Sequence, residues 1–240
     1  TAELARRYWD ARADFTFGSR TGSIAECVEW ARQARSRPVI LADSGDNPTA
    51  GGVGDRPDVL RHLLERGVTD TLVIGIADPP ATALCYQHGV GAAMPLRIGG
   101  ALEPGVPPVS ATAHVLFLLP TDAPGERQAV VRVGGVTLVL TARRRPFHTL
   151  RDFTDLGLDP KAFSLLVVKS GYLSPDLAAI ANPSLMALSP GAVDQHTERL
   201  PRERLPSPTY PLQREFAWEP LTLESARSPR LGAPGARQER

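Results

Sequence analysis

Residues 39–55 read Val39-Ile40-Leu41-Ala42-Asp43-Ser44-Gly45-Asp46-Asn47-Pro48-Thr49-Ala50-Gly51-Gly52-Val53-Gly54-Asp55, and the rest of the chain can be read as support for this segment. Val39 to Ala42 is a continuous apolar run of strand length, the pattern of a strand covered on both faces. It passes into a polar, glycine-rich loop that then opens a helix. Asp55 is expected to cap that helix, with Pro57 inside its first turn. Between strand and helix stand three carboxylates and one amide, more polar chemistry than a connector needs. In open α/β sheets, ligands are held at the carboxyl ends of the strands, which is where this loop falls.

The rest of the chain repeats the alternation. Asp58 to Arg66 predicts a helix with Val59, Leu60, Leu63 and Leu64 inward and Gly67 after its end. Thr71 to Ile76 is the next buried strand, and Asp78-Pro79-Pro80 starts a helix that ends near Gly89. Upstream, Ala2 to Asp14 has helical spacing, with Leu4, Tyr8 and Ala11 on one face and Trp9 beside them. Ser23 to Ala34 is a second helix, with Ser23 and Glu26 in capping-box spacing. Strand and helix in alternation argue for a mostly parallel sheet flanked by helices, an α/β fold.

The middle changes character. Val109 to Leu119 alternates apolar and polar residues as a half-buried strand does. Gln128 to Val133 and Val136 to Thr141 read as a hairpin closed by Gly134-Gly135. These strands predict an antiparallel region, either a sheet of its own or an extension of the parallel one. Leu150 to Leu156 is a short helix, Ser164 to Val168 a buried strand ending in Lys169-Ser170-Gly171, Pro175 to Ala181 a helix and Leu185 to Leu188 a last short strand. The pattern fades from about Gly191, and residues 213–240 read as a disordered tail rich in Pro, Arg, Ser and Gly.

Several function classes are excluded by composition and motif. The formal net charge is +1, with 27 basic against 26 acidic residues, so no basic face advertises nucleic acid. No apolar run approaches the ~20 residues of a membrane span. Glycines 51, 52 and 54 lack the Gly-Lys-Ser/Thr of a P-loop, no G-x-G-x-x-G opens a βαβ unit, and no G-x-S-x-G elbow is present. Cys27 and Cys85 stand far apart without a C-x-x-C pair, as buried thiols of a cytoplasmic protein do. The histidines at 62, 88, 114, 148 and 196 never fall within one helical turn of each other, so no zinc site is legible in this chain. Thr1 is not a methionine and already lies in a helical pattern, which reads as a fragment of something longer.

The signature Asp43-x-x-Asp46-Asn47-Pro48, followed by glycines and Gly54-Asp55, resembles the Asp-x-x-Asp-Asn-Pro-Gly-Gly-Gly motif of the MlrC metallopeptidase family, at the start of its C-terminal domain. Further matches follow in order: Leu63-Leu64-Glu65-Arg66-Gly67-Val68, Ile76-Ala77-Asp78-Pro79, Pro95-Leu96-Arg97-Ile98-Gly99-Gly100, Leu156-Gly157-Leu158-Asp159-Pro160 and Val167-Val168-Lys169-Ser170. The resemblance spans residues 1–212.

It implies the C-terminal half of a zinc metallopeptidase that hydrolyses peptide or amide bonds, with zinc bound by an N-terminal catalytic domain absent from this chain. No metal ligand or catalytic residue is transferred to this sequence. The residues it marks for substrate binding are Asp43, Asp46, Asn47, Gly51, Gly54, Asp55, Lys169 and Ser170. Its implied partners are the N-terminal domain, a small peptide-like substrate and, for a homo-oligomer, a second copy of the chain.

Each feature also has a plainer reading. Asp46 and Asn47 before Pro48 are ordinary turn formers, and Lys169 either binds a substrate carboxylate or pairs with Asp43 or Asp78. Arg143-Arg144-Arg145 is a solvated strand end or a carboxylate clamp. Two readings besides the peptidase half remain open: a non-catalytic binding or assembly domain with a structural loop, and a hydrolase recruiting Mg or Ca through Asp43, Asp46 and Asp55. The sequence departs from the family at Thr49-Ala50, where glycines stand, and at Tyr172-Leu173, where His-Phe is usual.

Overall fold

The computed structural model describes residues 1–221. The described residues form two units: Gly18–Pro201, and a second made of Thr1–Phe17 with residues 202–221.

The larger unit is built on one nine-stranded sheet. In chain order its elements are β1 (Arg20–Gly22), α2 (Ile24–Gln33), β2 (Val39–Asp43), α3 (Asp58–Glu65), β3 (Thr71–Ala77), α4 (Pro79–His88), β4 (Ala93–Ile98), β5 (Val109–Leu118), β6 (Gln128–Val133), β7 (Val136–Thr141), α5 (Arg151–Thr154), β8 (Leu165–Lys169), α6 (Pro175–Ile180) and β9 (Ser184–Ala187); α1 (Ala2–Asp10) belongs to the smaller unit. The strand order is β1-β9-β2-β8-β3-β7-β6-β5-β4. From β1 to β7 neighbouring strands are parallel, and from β7 to β4 they are antiparallel. The antiparallel region is thus an extension of the parallel sheet.

The apolar runs are continuous because both faces of the parallel part are covered. Val39 and Leu41 of β2, Val73 of β3 and Leu165 and Val167 of β8 pack with Val28 of α2, Leu60 and Leu63 of α3 and Ala81 of α4. Ile40, Leu72, Ile74, Leu166 and Val168 point the other way, onto Phe147, Phe153 and Leu177. Ile76 returns to the first face because β3 shifts register against β7 between Ile74 and Ile76. Gly75 sits in that shift with φ +88°, and the Phe147 ring lies 3.0 Å from where a Cβ would stand. Both the backbone angle and the space demand glycine there.

The Ser23 capping box closes the start of α2 as its spacing predicts: the hydroxyl accepts from Glu26 N, and the Glu26 carboxylate accepts from Ser23 N. Gly67, with φ +60°, follows the C-terminus of α3. Asp78 caps α4 through Ala81 N. Asp55 does not cap α3; Pro57 holds that position, and the Asp55 carboxylate accepts instead from Leu102 N and Glu103 N. The chain runs two residues further before the helix begins, which carries Asp55 into the neighbouring turn.

Two strands escape the apolar-run criterion, and both lie at sheet edges. β1 is three residues long and contains Gly22, while β4 contains Pro95. An edge strand tolerates proline because one side of its backbone needs no partner. The strict alternation of exposed and buried residues along β4, with Met94, Leu96 and Ile98 inward, is the signal that reveals it.

In the smaller unit, α1 (Ala2–Asp10) runs into a short 3₁₀ turn. Trp9 stacks on Trp218 with ring centroids 5.0 Å apart, meets Phe216 and Tyr210 edge-on, and lies under the Arg12 guanidinium. Leu4 and Tyr8 are exposed. Of the expected tail at 213–240, residues 222–240 lie outside the described residues, and Phe216 and Trp218 rest against Trp9. No helix among the described residues is long and apolar enough to cross a membrane.

Candidate binding site at the carboxyl edge of the sheet

β9, β2 and β8 are adjacent and parallel, so the loops that follow them emerge on one edge. The register pairs Asp43 with Lys169 as the last residues of β2 and β8. That register brings together residues 126 positions apart. Lys169 Nζ donates to Asp43 Oδ2 at 3.0 Å, to Asp46 Oδ2 at 3.0 Å and to the Arg56 carbonyl at 2.8 Å. An ammonium has three hydrogens, and all three are used. Lys169 therefore pairs with Asp43 and Asp46, not with Asp78, and keeps no donor for a ligand. Burial works against its charge, yet the two carboxylates outweigh that and hold its pKa above the ordinary lysine value.

The carboxylates are equally occupied. Asp43 Oδ1 accepts from the Ser189 hydroxyl, which in turn accepts from Gly45 N. Asp46 Oδ1 accepts from Gly54 N at 2.7 Å and Oδ2 from Arg56 N at 2.8 Å. The loop is thus folded around its own acids. Gly54 (φ +85°) and Gly51 (φ +111°) supply the backbone angles that let it turn back on Asp46. At Gly45 a Cβ would stand 2.0 Å from the Ser189 carbonyl oxygen, so the loop after β9 seals directly onto this backbone.

Asp55 is wholly buried beside the turn at Gly99 and Gly100: its carbonyl accepts from Gly100 N, while Oδ1 has no access to solvent and no partner among the described residues. Burial raises the Asp78 pKa above its ordinary value, against the donors Ala81 N and Gly99 N, and the Asp55 charge adds to the rise. Ser170 N donates to the Asp43 carbonyl, and its hydroxyl donates to the Tyr172 carbonyl.

Asn47 differs from these. Its side-chain Oδ1 accepts from Thr49 N at 3.0 Å and from Thr49 Oγ1 at 2.7 Å, and its Nδ2 points to Gly171 without an acceptor among the described residues. Thr49, a departure from the family's glycine, thereby fixes the amide. Gln195, which lies in the stretch where sequence periodicity fades, reaches the same place through Nε2. Of the three neighbouring arginines, Arg143 pairs with Glu126, Arg145 with Asp152, and Arg144 reaches the Gly52 carbonyl at 3.4 Å.

Among the described residues, no three His, Cys, Asp or Glu side chains gather into a group able to hold a metal ion. Asp43 and Asp46 converge on an ammonium, and Asp55 faces another turn. The donor set of the described residues does not fit zinc.

Microcystinase C from Sphingomonas sp. is 28% identical over 177 residues, which cover 70% of this chain and 35% of that protein. A crystal structure from Mesorhizobium sp. BNC1, named "Putative metallopeptidase", superposes with a TM-score of 0.72 at 24% identity, covering 91% of this chain and 46% of the other; this likeness shows the fold. The chain thus spans about a third of the curated relative and about half of the solved one. The family model described as "MlrC C-terminus" matches residues 41–204, from within β2 through the signature loop and beyond β9, and the chain belongs to that family.

Proposed function

We propose that this chain is the C-terminal portion of a metallopeptidase that hydrolyses peptide or amide bonds, and that it forms one wall of the substrate cleft without supplying the metal. The observation that carries this reading is the spent chemistry of the signature loop. Its carboxylates Asp43 and Asp46 are taken up by Lys169 and by backbone and hydroxyl donors, so among the described residues the loop presents no donor set for zinc. Zinc, which would supply an activated water, is then held by residues outside this chain, as is the catalytic machinery. The partners in this reading are that catalytic portion, a small peptide-like substrate and a second copy of the chain. Two buried thiols fit a cytoplasmic setting.

The internal satisfaction of the loop also favours a second reading, a non-catalytic binding or assembly domain. Elemental analysis after dialysis, on the chain alone and on the protein extended upstream, separates the two when combined with a peptide-hydrolysis assay. The peptidase reading expects zinc and hydrolysis in the extended protein only. Near-stoichiometric zinc in the chain alone overturns the proposal. An extended protein without zinc or hydrolysis leaves the assembly reading.

A further inference from the structure

We infer that the apolar face of α1, together with the Trp218 ring, is the surface on which the upstream portion of the full-length protein docks. The inference rests on the reading of this chain as the C-terminal portion of a longer peptidase, and it names the face that joins the two portions.

Leu4 and Tyr8 lie one helical turn apart on α1, as do Ala5 and Trp9, which makes two adjacent apolar stripes. Thr1, Leu4, Ala5, Tyr8, Trp9 and Trp218 line an apolar cavity of about 420 Å³. The helix buries none of its residues: Leu4 is 73% exposed and Tyr8 70%. Phe15, whose ring lies 4.9 Å from that of Tyr8, is also exposed. Beside the stripes Arg7 pairs with Glu3 at 2.6 Å, a polar rim next to an apolar centre. Single exposed apolar side chains are ordinary, but a group of them rich in aromatic rings marks a contact surface.

Stability calls for a permanent cover. A helix of nine residues has little stability of its own in water and depends on packing an apolar face. The ring cluster of Trp9 with Tyr210, Phe216 and Trp218 holds one side of α1, and the Leu4 and Tyr8 side is left open. The described part of the smaller unit is below the size, about 40 residues, at which a chain keeps a core unaided. A cover that is always present is another part of the same polypeptide and not a transient ligand.

Position in the chain selects that part. The family segment described as MlrC C-terminus begins at residue 41, so α1 lies on its upstream side. The matched regions make up 46% of the solved relative and 35% of the curated one, so most of each relative's length lies outside them. For a segment at the C-terminus that length lies upstream, and α1 is the element of this chain nearest to it in sequence.

The test compares the 240-residue chain with the protein extended upstream, each carrying Leu4→Cys or Tyr8→Cys. Labelling by iodoacetamide is followed by mass spectrometry of the peptide that holds the new thiol. Both positions are exposed, so both variants are expected to fold, which circular dichroism checks. In the chain alone each new thiol should label as fast as a cysteine in a free peptide, at low and at high protein concentration. In the extended protein it should label about tenfold more slowly or less, since reaction then waits on opening of the covered face. Equal rates in the two proteins overturn the inference. So does slow labelling in the chain alone: if it deepens with concentration a second copy covers the face, and if it does not, the chain covers its own helix. Hydrolysis by the extended protein is read separately. Protection without hydrolysis sustains the docked face and sinks the peptidase reading; hydrolysis without protection does the reverse.

Discussion

Lys169 and Asp43 meet as the last paired residues of two parallel strands, Nζ to Oδ2 at 3.0 Å, with both side chains almost fully buried. A buried pair adds little over an apolar pair, but breaking one strands a charge. Lys169→Met would leave Asp43 and Asp46 facing each other without a cation. It should destabilise the larger unit by about 3–5 kcal/mol, read as a lower denaturant midpoint. Because the folded pKa of Lys169 is raised, its stabilising effect is complete below the ordinary lysine value near 10.5 and fades only as pH rises through the higher folded value. The wild type should therefore keep its higher midpoint through pH 9.

Asp152 behaves in the opposite sense. Burial opposes its charge, but donors from Thr149 N, His148 N, Arg145 and the Thr149 hydroxyl outweigh it and lower its pKa. A lowered carboxylate stabilises above its unfolded pKa, near 3.8, and loses that effect as pH falls through the folded value. Asp152→Ala should cost about 1–2 kcal/mol at pH 7, the price of several charge-assisted bonds at a partly exposed site. The deficit should shrink below about pH 4 in urea unfolding followed across pH.

Gly45→Ala tests the seal between the loops after β2 and β9. The added methyl would lie 2.0 Å from the Ser189 carbonyl oxygen, a backbone atom that cannot rotate away. A loss of about 3 kcal/mol is expected, seen as a lower thermal midpoint. An unchanged midpoint would mean that the Ser189 loop does not hold this position.

Cys27 and Cys85 are free and fully buried, and burial pushes each thiol up to about 11. Since the thiolate is the nucleophile, neither should react with iodoacetamide at pH 8 in the folded chain. Mass spectrometry should find two alkylations once the chain is unfolded in guanidinium. Rapid labelling of either cysteine in the native state would contradict its place in the core.

Local chemistry made much of this molecule legible in advance. Four-residue apolar runs at 39–42 and 165–168 declare doubly covered strands, and Ser23 with Glu26 declares a helix start, because these depend on residues adjacent in the chain. The Asp43 to Asp55 loop was marked by its density of acids and glycines. Its wiring was not. Whether Lys169 served a substrate, Asp43 or Asp78 depended on which strand lies beside β2, and that is decided by sheet order across 126 positions. The helix-cap reading of Asp55 failed for the same reason, since its partners Leu102 and Glu103 lie 47 and 48 residues away. Gln195 carried no periodic or motif signal, and only the closure of the loop after β9 onto Gly45 brings it to Asn47 and Gly171. Short-range pattern specifies the main helices and every strand but β1 and β4. The tertiary structure decided which polar groups satisfy one another, because strand pairing, not chain proximity, sets the distances over which charges and hydrogen bonds act.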